Sequence, residues 1–166
     1  KEIYEMHKGK DHAHLFTRIP KNYTIKEAKK FVRGNIKNFG NKEYGFIITD
    51  KKTKRILGSC IIWIFEKDNK GNLGYYIRND ARNKGYVTEA ARALLDFGFG
   101  KLKLNRININ HVKGNKASQR VIKKLGAKYE GLEREAILSG SGKYQDHLTY
   151  AILAKEWKPK NLRSSR

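Results

Sequence analysis

The stretch LGYYIRNDARNKGYVTEAARALLDFGF, residues 73–99, decides the fold that the sequence predicts. Its first letters, LGYYIR, favour a β-strand. After Tyr86 the apolar residues follow the i, i+3, i+4, i+7 spacing of a helix packed on a sheet; they are Val87, Ala90, Ala91, Leu94, Leu95 and Phe99. Between the two lies RNKG, residues 82–85, which puts two cations at a helix end that normally attracts negative charge. The stretch therefore predicts a strand, a glycine-containing loop and a helix start.

This loop has the geometry of a phosphate-binding site, because free N–H groups at a helix N-terminus and the helix dipole both favour anions. A bound polyphosphate would place Arg82 and Lys84 opposite negative charge. The loop fits neither the P-loop pattern G-x-x-x-x-G-K-S/T nor the dinucleotide pattern G-x-G-x-x-G, so nucleotide hydrolysis and hydride transfer lose their main support. Taken alone, the loop favours a simpler interpretation, a strand–turn–helix with solvated basic residues.

The chain has 166 residues, a formal net charge of +21 and 39% hydrophobic residues. This length suits one core, and we expect one domain at residues 1–157 with a basic tail at 158–166. The basic excess fits an anionic partner such as nucleic acid, ribosome, an anionic membrane or an anionic ligand, and scattered cations fit a solvated surface equally well. No apolar stretch approaches the ~20 residues of a membrane span, and no signal peptide is visible. We therefore expect a cytoplasmic protein without a membrane partner.

The rest of the sequence supplies the other elements of an α/β domain. Thr24 and Glu27 form a capping-box pattern for an amphipathic helix that ends at Gly40; its apolar face holds Ala28, Phe31, Val32 and Phe39. A short helix at 115–125 is expected to end at Gly126. Strands are predicted at 44–49, 56–65, 73–78, 106–112, 128–138 and 144–154, the first three as an antiparallel meander.

Two spaced motifs resemble those of one known family. The segment GYYIRNDARNKGYVTEAARALLDFGF is similar to the central motif of the GNAT superfamily of N-acetyltransferases, Q/R-x-x-G-x-G/A between a strand and a helix. Arg82, Gly85 and Val87 occupy its key positions, with Val87 in place of the usual small residue. Downstream, LNRININHVKGNKASQRVIKKLGAKYEG resembles the RimJ/RimL-like form of the next block, an N-R-I strand, then N-x-x-S and K-L-G-F/A-x-x-E-G. Two motifs in the right order are far more specific than either alone.

The resemblance also includes IPKNYTIKEAKKFV and the closing EW, so it extends over residues 19–157. Members of this branch usually begin with a strand before the first helix. Here KEIYEMHKGKDHAHLF, residues 1–16, resembles that first helix itself. Two interpretations stay open: the strand precedes residue 1, or this protein lacks it.

The resemblance implies a GNAT fold, an α/β domain with a mixed, mostly antiparallel sheet flanked by helices on both faces. It also implies acetyl transfer from acetyl-CoA to a primary amine, with no metal and no covalent enzyme intermediate. Backbone amides of residues 83–88 would cradle the CoA pyrophosphate. The strand end at residues 75–78 would run beside the pantetheine arm, and an amide there would polarise the thioester carbonyl.

The second motif would hold the reactive end of the cofactor. Asn115 would bond the pantetheine and Ser118 would lie near the sulfur, although helix capping is an alternative explanation of both residue types. The implied cofactor-binding residues are Tyr75, Tyr76, Ile77, Arg78, Arg82, Asn83, Lys84, Gly85, Tyr86, Val87, Thr88, Asn115 and Ser118.

Departures from one branch of the family bear on the choice of the catalytic acid and base. In the RimI-like branch a strand glutamate is the base and a helix tyrosine the acid, whereas this chain has Asn110 and Ile122 at those positions. Both departures point to the RimL-like form, where the serine is the candidate acid, so Ser118 is the predicted catalytic residue. The base stays open: alternation places two candidates on one face of a strand and the third on the other, and they are Glu133, Glu135 and Glu130.

The pKa of the acceptor amine bears on the substrate. A lysine amine with a pKa near 10.4 requires roughly 4–5 kcal/mol for deprotonation at pH 7, against roughly 1 kcal/mol for an α-amine. A site without an assignable strong base therefore suits a protein N-terminus, which the RimJ/RimL-like resemblance also implies, ribosomal proteins in particular. Two alternatives remain: acetylation of a polyamine, aminoglycoside or amino sugar, and a non-catalytic RNA- or ribosome-binding module on the same fold.

One cysteine and one group of acidic and histidine residues are further candidate sites. Cys60 lies in the apolar run GSCIIWIF, which predicts a core thiol without a nearby activating base. Asp11, His12 and His14 have no further ligands at suitable spacing, so a solvated helix is the favoured interpretation.

The remaining histidines and aromatic residues are not assigned to the chemistry. His111 and His147 stand alone on predicted strands, where a structural role is favoured. Trp63, Tyr76 and Tyr144 fit either an acceptor cleft or an aromatic core.

Overall fold

The computed structural model describes residues 2–7, 23–139 and 142–159. Four helices lie within these ranges: α1 (Glu2–His7), α2 (Ile25–Asn38), α3 (Tyr86–Gly100) and α4 (Lys116–Leu125). The strands are β1 (Glu43–Thr49), β2 (Ile56–Phe65), β3 (Lys70–Ile77), β4 (Arg106–Ile109), β5 (His111–Val112), β6 (Lys128–Leu138) and β7 (Tyr144–Leu153). Among the described residues, no helix is both long and apolar enough to span a membrane.

The predicted meander is confirmed. Strand β2 pairs antiparallel with β1 on one side and with β3 on the other. The turn between β2 and β3 is tighter than expected, because a 3-10 turn at Glu66–Asp68 ends on Asn69 in the left-handed conformation, and β3 therefore begins at Lys70 rather than Leu73. Asparagine is one of the few non-glycine residues that adopt this conformation readily.

The sheet is completed by one parallel pair and a C-terminal hairpin. Its order is β1-β2-β3-β4-β7-β5, with β6 paired to β7. Among the paired strands that the structure describes, only β3 and β4 run parallel, and the other pairs are antiparallel. The mixed, mostly antiparallel sheet that the sequence predicts is confirmed.

Helices cover both faces of this sheet. Adjacent strand residues point to opposite faces. Ile62 faces α3, because a Cβ at Gly98 of that helix would lie 3.1 Å from its Cδ1 atom. The neighbouring Ile61 lines a groove together with Val32 and Ile36 of α2. The predicted α3 stripe is confirmed, since Val87, Ala91, Leu94 and Leu95 are buried.

The helix α2 begins as predicted but leaves most of its apolar face uncovered by the described residues. Thr24 N donates to Glu27 Oε2 at 2.6 Å and Glu27 N donates to Thr24 Oγ1 at 3.3 Å, which completes the capping box. Ala28 is buried, whereas the exposed fractions are 38% for Phe31 and 51% for Phe39. Of the four residues predicted on the apolar face, Ala28 alone is buried among the described residues.

The strand predicted at 106–112 is interrupted in the structure. Strands β4 and β5 are separated by Asn110, whose Oδ1 accepts from the backbone N of Tyr150 at 3.4 Å. A side chain thus takes over a backbone position in the ladder with β7. Cys60 is buried at 2% exposure, and burial raises the pKa of its thiol to about 12, which agrees with a core thiol.

Candidate active site

A gap opens in the sheet between β3 and β4. Their parallel pairing ends where Leu73 faces Ile109, and β3 continues to Ile77 beyond that point. The amide of Arg78 donates to the carbonyl of Leu57, on the β2 side. Backbone groups alternate along a strand, so those of Tyr75 and Ile77 point into the gap. The edge of β3 is thereby available for a ligand that pairs as a strand.

The helix α3 begins at the end of this gap. Its N-cap is Gly85, with φ +86°, in the left-handed region that favours glycine. No described side chain caps this helix start. The first-turn N–H groups of a helix lack intrahelical partners, so this end is a ready anion site.

The helix α4 begins on the opposite wall and is capped from within. Asn115 Oδ1 accepts from the backbone N of Ser118 at 3.1 Å, and Gly126 in the left-handed conformation ends the helix as predicted. The capping interpretation of Asn115 is thus realised. Ser118 is buried, so its hydroxyl is held inside the wall rather than in bulk solvent.

These three elements line one cleft, which encloses about 950 Å³ of empty space including its open mouth. Its lining combines aromatic, small and cationic residues: Tyr75, Tyr76, Ile77, Ala81, Arg82, Asn83, Gly85, Tyr86, Val87, Thr88, Asn115, Ala117, Ser118, Arg120, Val121 and Lys124. Among the described residues that line it, three are cations and none is a carboxylate or a histidine. Its charge therefore suits a polyanion.

The structure brings most of the predicted cofactor residues together. Arg78 and Lys84 are the two that do not line the cleft. The guanidinium of Arg78 lies 3.2 Å from Asp80, which turns it away, and Lys84 is exposed beside the loop. Sequence reasoning missed Arg120 and Lys124; their i, i+4 spacing on the helix that starts at Asn115 was the available signal.

The deepest polar contact of the cleft joins its two walls. Tyr75 Oη lies 2.7 Å from Ser118 Oγ, and 3.4 Å from the carbonyl oxygen of the same residue. Burial raises the pKa of Tyr75 well above its usual value, an effect that its hydrogen bond with Ser118 only partly offsets. The phenol is therefore protonated at neutral pH.

The three candidate glutamates all lie on β6 and are exposed. Glu130 forms an ion pair with Arg106, whose Nε also donates to Asn108 Oδ1 at 2.7 Å. The alternation of side chains between the two faces of the sheet, expected from the sequence, does not hold along β6. Bulges interrupt its pairing with β7 around Glu130 and again between Glu133 and Ile137, so residues two positions apart no longer share a face there. Glu130 is committed to its arginine, while the other two have no such partner in the pairing described.

The histidines are embedded in the sheet next to this hairpin. His111 is buried, stacks on Tyr150 and places Nδ1 2.8 Å from the carbonyl of Val112, which agrees with a structural role. His147 lies opposite Glu133 in the ladder, and burial lowers its pKa.

The three aromatic residues singled out in the sequence lie in different surroundings, and the metal prediction concerns a separate segment. Tyr76 lines the cleft, Trp63 packs where a Cβ at Gly74 would lie, and Tyr144 is 66% exposed. No group of three or more histidine, cysteine or acidic residues in the described ranges could hold a metal ion. The segment with Asp11, His12 and His14 lies outside those ranges.

Comparison with known proteins gives the family. Residues 1–128 match the acetyltransferase (GNAT) domain family. The chain is 32% identical over 135 residues to YnaD, an uncharacterized N-acetyltransferase of Bacillus subtilis, which covers 81% of this chain and 77% of that protein. It is 33% identical over 90 residues to YdaF, a putative ribosomal N-acetyltransferase of the same organism, covering 54% and 49%. The ribosomal protein uS5-alanine N-acetyltransferase of Escherichia coli is 30% identical over 87 residues, covering 52% and 44%. The matched segment thus spans about half the length of the last two relatives.

Solved structures agree on the fold. An acetyltransferase of the GNAT family from Bacillus anthracis has a TM-score of 0.79 and 27% identity, over 92% of this chain and 87% of that one. A spermidine N-acetyltransferase from Vibrio cholerae, solved with CoA and spermine, has a TM-score of 0.79 at 19% identity, over 93% and 89%. The sheet, the loop and the family match converge: the chain belongs to the GNAT family and is an acetyl-CoA-dependent N-acetyltransferase.

Proposed function

We propose that this enzyme acetylates the N-terminal α-amine of a protein, a ribosomal protein in particular, by direct attack within a ternary complex. The observation that carries the proposal is the cleft, where an uncapped helix start, three cations and the Tyr75–Ser118 contact share one space. Two relatives named for ribosomal N-acetyltransfer support this choice of acceptor.

The mouth of the cleft suits the phosphates of CoA. First-turn amides of α3 would donate to the pyrophosphate, and Gly85 leaves room because a Cβ there would meet no protein atom within 4 Å. Arg82 stands on the loop, with Arg120 and Lys124 on the facing helix. Charge-assisted contacts of this kind are stronger than neutral hydrogen bonds.

The gap suits the pantetheine arm. Backbone groups of Tyr75 and Ile77 would pair with its amides as a further strand does. Capping by Asn115 uses Oδ1, so its Nδ2 group can donate to a pantetheine carbonyl. This placement directs the thioester toward Ser118, at the inner end of α4.

The chemistry then follows from the two ends of the gap. The amine nitrogen attacks the thioester carbonyl, the C–N bond forms and the C–S bond breaks. A backbone amide of β3 pointing into the gap would polarise the carbonyl, and Ser118 would donate to the departing sulfur. The proton lost by the amine passes to water.

The ease of deprotonation favours an α-amine as the acceptor. Such a group has a pKa of about 7.7–8.0, so roughly a tenth of it is neutral at pH 7 without help from a base. Glu130 is engaged by Arg106, whereas Glu133 and Glu135 stay open as candidate bases that would act through water. The basic surface of this cytoplasmic enzyme would assist docking on ribosomal RNA.

Thiol release from acetyl-CoA tests the acceptor. The enzyme is assayed with a ribosomal-protein N-terminal peptide, with the same peptide carrying a blocked α-amine and an internal lysine, and with spermidine. We expect turnover with the free N-terminus alone, and kcat/KM that rises with pH and levels above about pH 8, as the α-amine loses its proton. Cys60 is buried, and burial raises the pKa of its thiol to about 12, so we expect it not to add to the thiol signal of the assay.

Each contrary outcome has its own meaning. Turnover with spermidine alone assigns the enzyme to small-molecule amines and ends the N-terminal proposal. Turnover with the blocked peptide alone assigns it to lysine side chains, and the rate would then keep rising beyond pH 9. Ser118→Ala is the matched control, because its loss of turnover ties the signal to this cleft.

A further inference from the structure

The hydroxyl groups of Tyr75 and Ser118 are the one polar contact that joins the strand wall of the cleft to the helix wall among the hydrogen bonds described there. Their oxygens are 2.7 Å apart, which is an ordinary hydrogen bond between two hydroxyl groups. Tyr75 comes from β3 and Ser118 from α4, so neither local sequence nor helix capping requires the contact.

We propose that Tyr75 is a positioning residue, whose hydroxyl donates to Ser118 Oγ and thereby directs the serine proton at the departing sulfur. This inference rests on the proposed function of Ser118. A serine hydroxyl has one proton and accepts through its oxygen lone pairs. If Tyr75 occupies a lone pair as the donor, the serine proton has to point elsewhere, and the cleft is the open direction.

The geometry around the phenol supports this direction. Tyr75 Oη has two oxygens of Ser118 within hydrogen-bond distance, and Oγ at 2.7 Å is much nearer than the carbonyl oxygen at 3.4 Å, so we assign the phenol proton to Oγ. Burial raises the pKa of Tyr75, so the phenol keeps that proton. Cys60 of β2 lies opposite Tyr75 in the ladder, and its thiol, also protonated, adds no charge to the pocket. The backbone N of Ser118 is held by Asn115 Oδ1, so the residue is fixed at both ends.

Proton balance supports a donor chain rather than full proton transfer. A thiol has a pKa of about 8.5, far below that of a serine hydroxyl, so a thiolate does not take the serine proton outright. Ser118 donates a hydrogen bond to the sulfur as the C–S bond breaks and the electron pair goes to sulfur. Tyr75 and Ser118 both remain protonated, and the thiolate takes its proton from water. The stabilisation is therefore greatest in the transition state, where charge develops on sulfur.

The test is a double-mutant cycle on thiol release with the amine acceptor established for the enzyme. Tyr75→Phe removes only the hydroxyl, and we expect kcat to fall about fivefold to tenfold, as the loss of a hydrogen bond worth up to 1.5 kcal/mol predicts, with KM for acetyl-CoA unchanged. In a Ser118→Ala background the same substitution should have no further effect, since the partner is gone. Tyr150→Phe removes a hydroxyl from a residue packed on the same core, and should leave kcat unchanged.

The outcomes separate the two claims. Full activity of Ser118→Ala overturns the proposed role of the serine. Loss of activity in Ser118→Ala with a wild-type kcat in Tyr75→Phe overturns the positioning role alone. An equal loss on Tyr75→Phe in both backgrounds also overturns it, because the tyrosine would then act independently of the serine. Thermal unfolding of each variant shows that the fold is kept, and a KM change without a kcat change would assign Tyr75 to cofactor binding only.

Discussion

The two helices that face the cleft begin in opposite ways. The helix α4 is closed by its own side chain, since Asn115 accepts from the backbone of Ser118. The helix α3 begins at Gly85 without a side-chain cap, behind a loop that carries a cation. A helix start that satisfies its own donors positions a residue, whereas one that leaves them open recognises a ligand. The comparison predicts that the start of α3 contributes affinity and the start of α4 contributes rate.

The largest expected effect is the gain in stability when acetyl-CoA fills the open start. At a concentration 100 times Kd, binding to the folded state stabilises it by about 2.7 kcal/mol. For a chain of this size that raises Tm by about 5–10 °C, because each kcal/mol shifts Tm by roughly 2–4 °C. Thermal unfolding with and without the cofactor measures it. An unchanged Tm at saturating acetyl-CoA would contradict the proposed cleft.

Gly85→Ala should weaken the binding of acetyl-CoA, raising its KM tenfold or more. The new Cβ meets no protein atom, but it adds strain of about 1–2 kcal/mol at φ +86° and enters the space proposed for the pyrophosphate. KM for acetyl-CoA measures the change. Gly40→Ala is the matched control: its φ is +85°, its Cβ is equally free, and it lies outside the cleft. Equal stability losses with KM raised only in Gly85→Ala separate binding from strain.

Asn115→Ala should lower the free energy of unfolding by about 1 kcal/mol, the usual effect of losing an N-cap. It should also lower kcat, because Ser118 loses the bond that fixes its backbone. Asn115→Asp keeps a capping oxygen, so it should restore stability while placing a negative charge in a cationic cleft. Denaturant unfolding and kcat are measured together. An unchanged kcat in Asn115→Ala would mean that the cap does not help to position Ser118. A lower kcat in Asn115→Asp at restored stability would show that the Asn115 amide also acts within the cleft.

The smallest effect concerns the cations of α4. Arg120→Gln should raise KM for acetyl-CoA about twofold to fivefold, as an exposed charge contact of 0.2–1 kcal/mol implies. Lys123→Gln removes an exposed cation of the same helix that does not line the cleft, and its KM should not change. Added salt should shrink the difference between the two variants. The same rise in KM for both would mean that the net charge matters and the position does not.

Local patterns predicted much of this molecule, and long-range register limited the rest. The loop at residues 82–88 was predictable because its glycine, cations and following helix stripe are adjacent in the chain. The family, the mixed sheet and the capping box of α2 were predicted on the same basis and are confirmed. The site residues themselves remain a proposal, although the structure gathers most of them around one cleft.

What escaped prediction depends on how strands align. Tyr75 and Ser118 are 43 residues apart in the chain, and their hydroxyl groups meet only because the fold places β3 beside the start of α4. The bulges of β6 defeat the alternation that would place Glu130, because an extra residue in one strand leaves no mark in a hydrophobic pattern. The break at Asn110 is hidden for the same reason, since its side chain replaces a backbone partner.

The distribution of contacts along the cleft has a consequence for inhibition by the product, free CoA. On the proposed placement the cations and the open helix start contact the phosphates, while only Ser118 and a backbone amide of β3 meet the reactive end. Free CoA would therefore keep nearly every contact of acetyl-CoA after transfer. The product would compete with the substrate at similar affinity, so the rate would follow the ratio of acetylated to free CoA rather than the amount of either one. The uncapped start of α3 would thus make the rate sensitive to the ratio of acetyl-CoA to CoA in the cell.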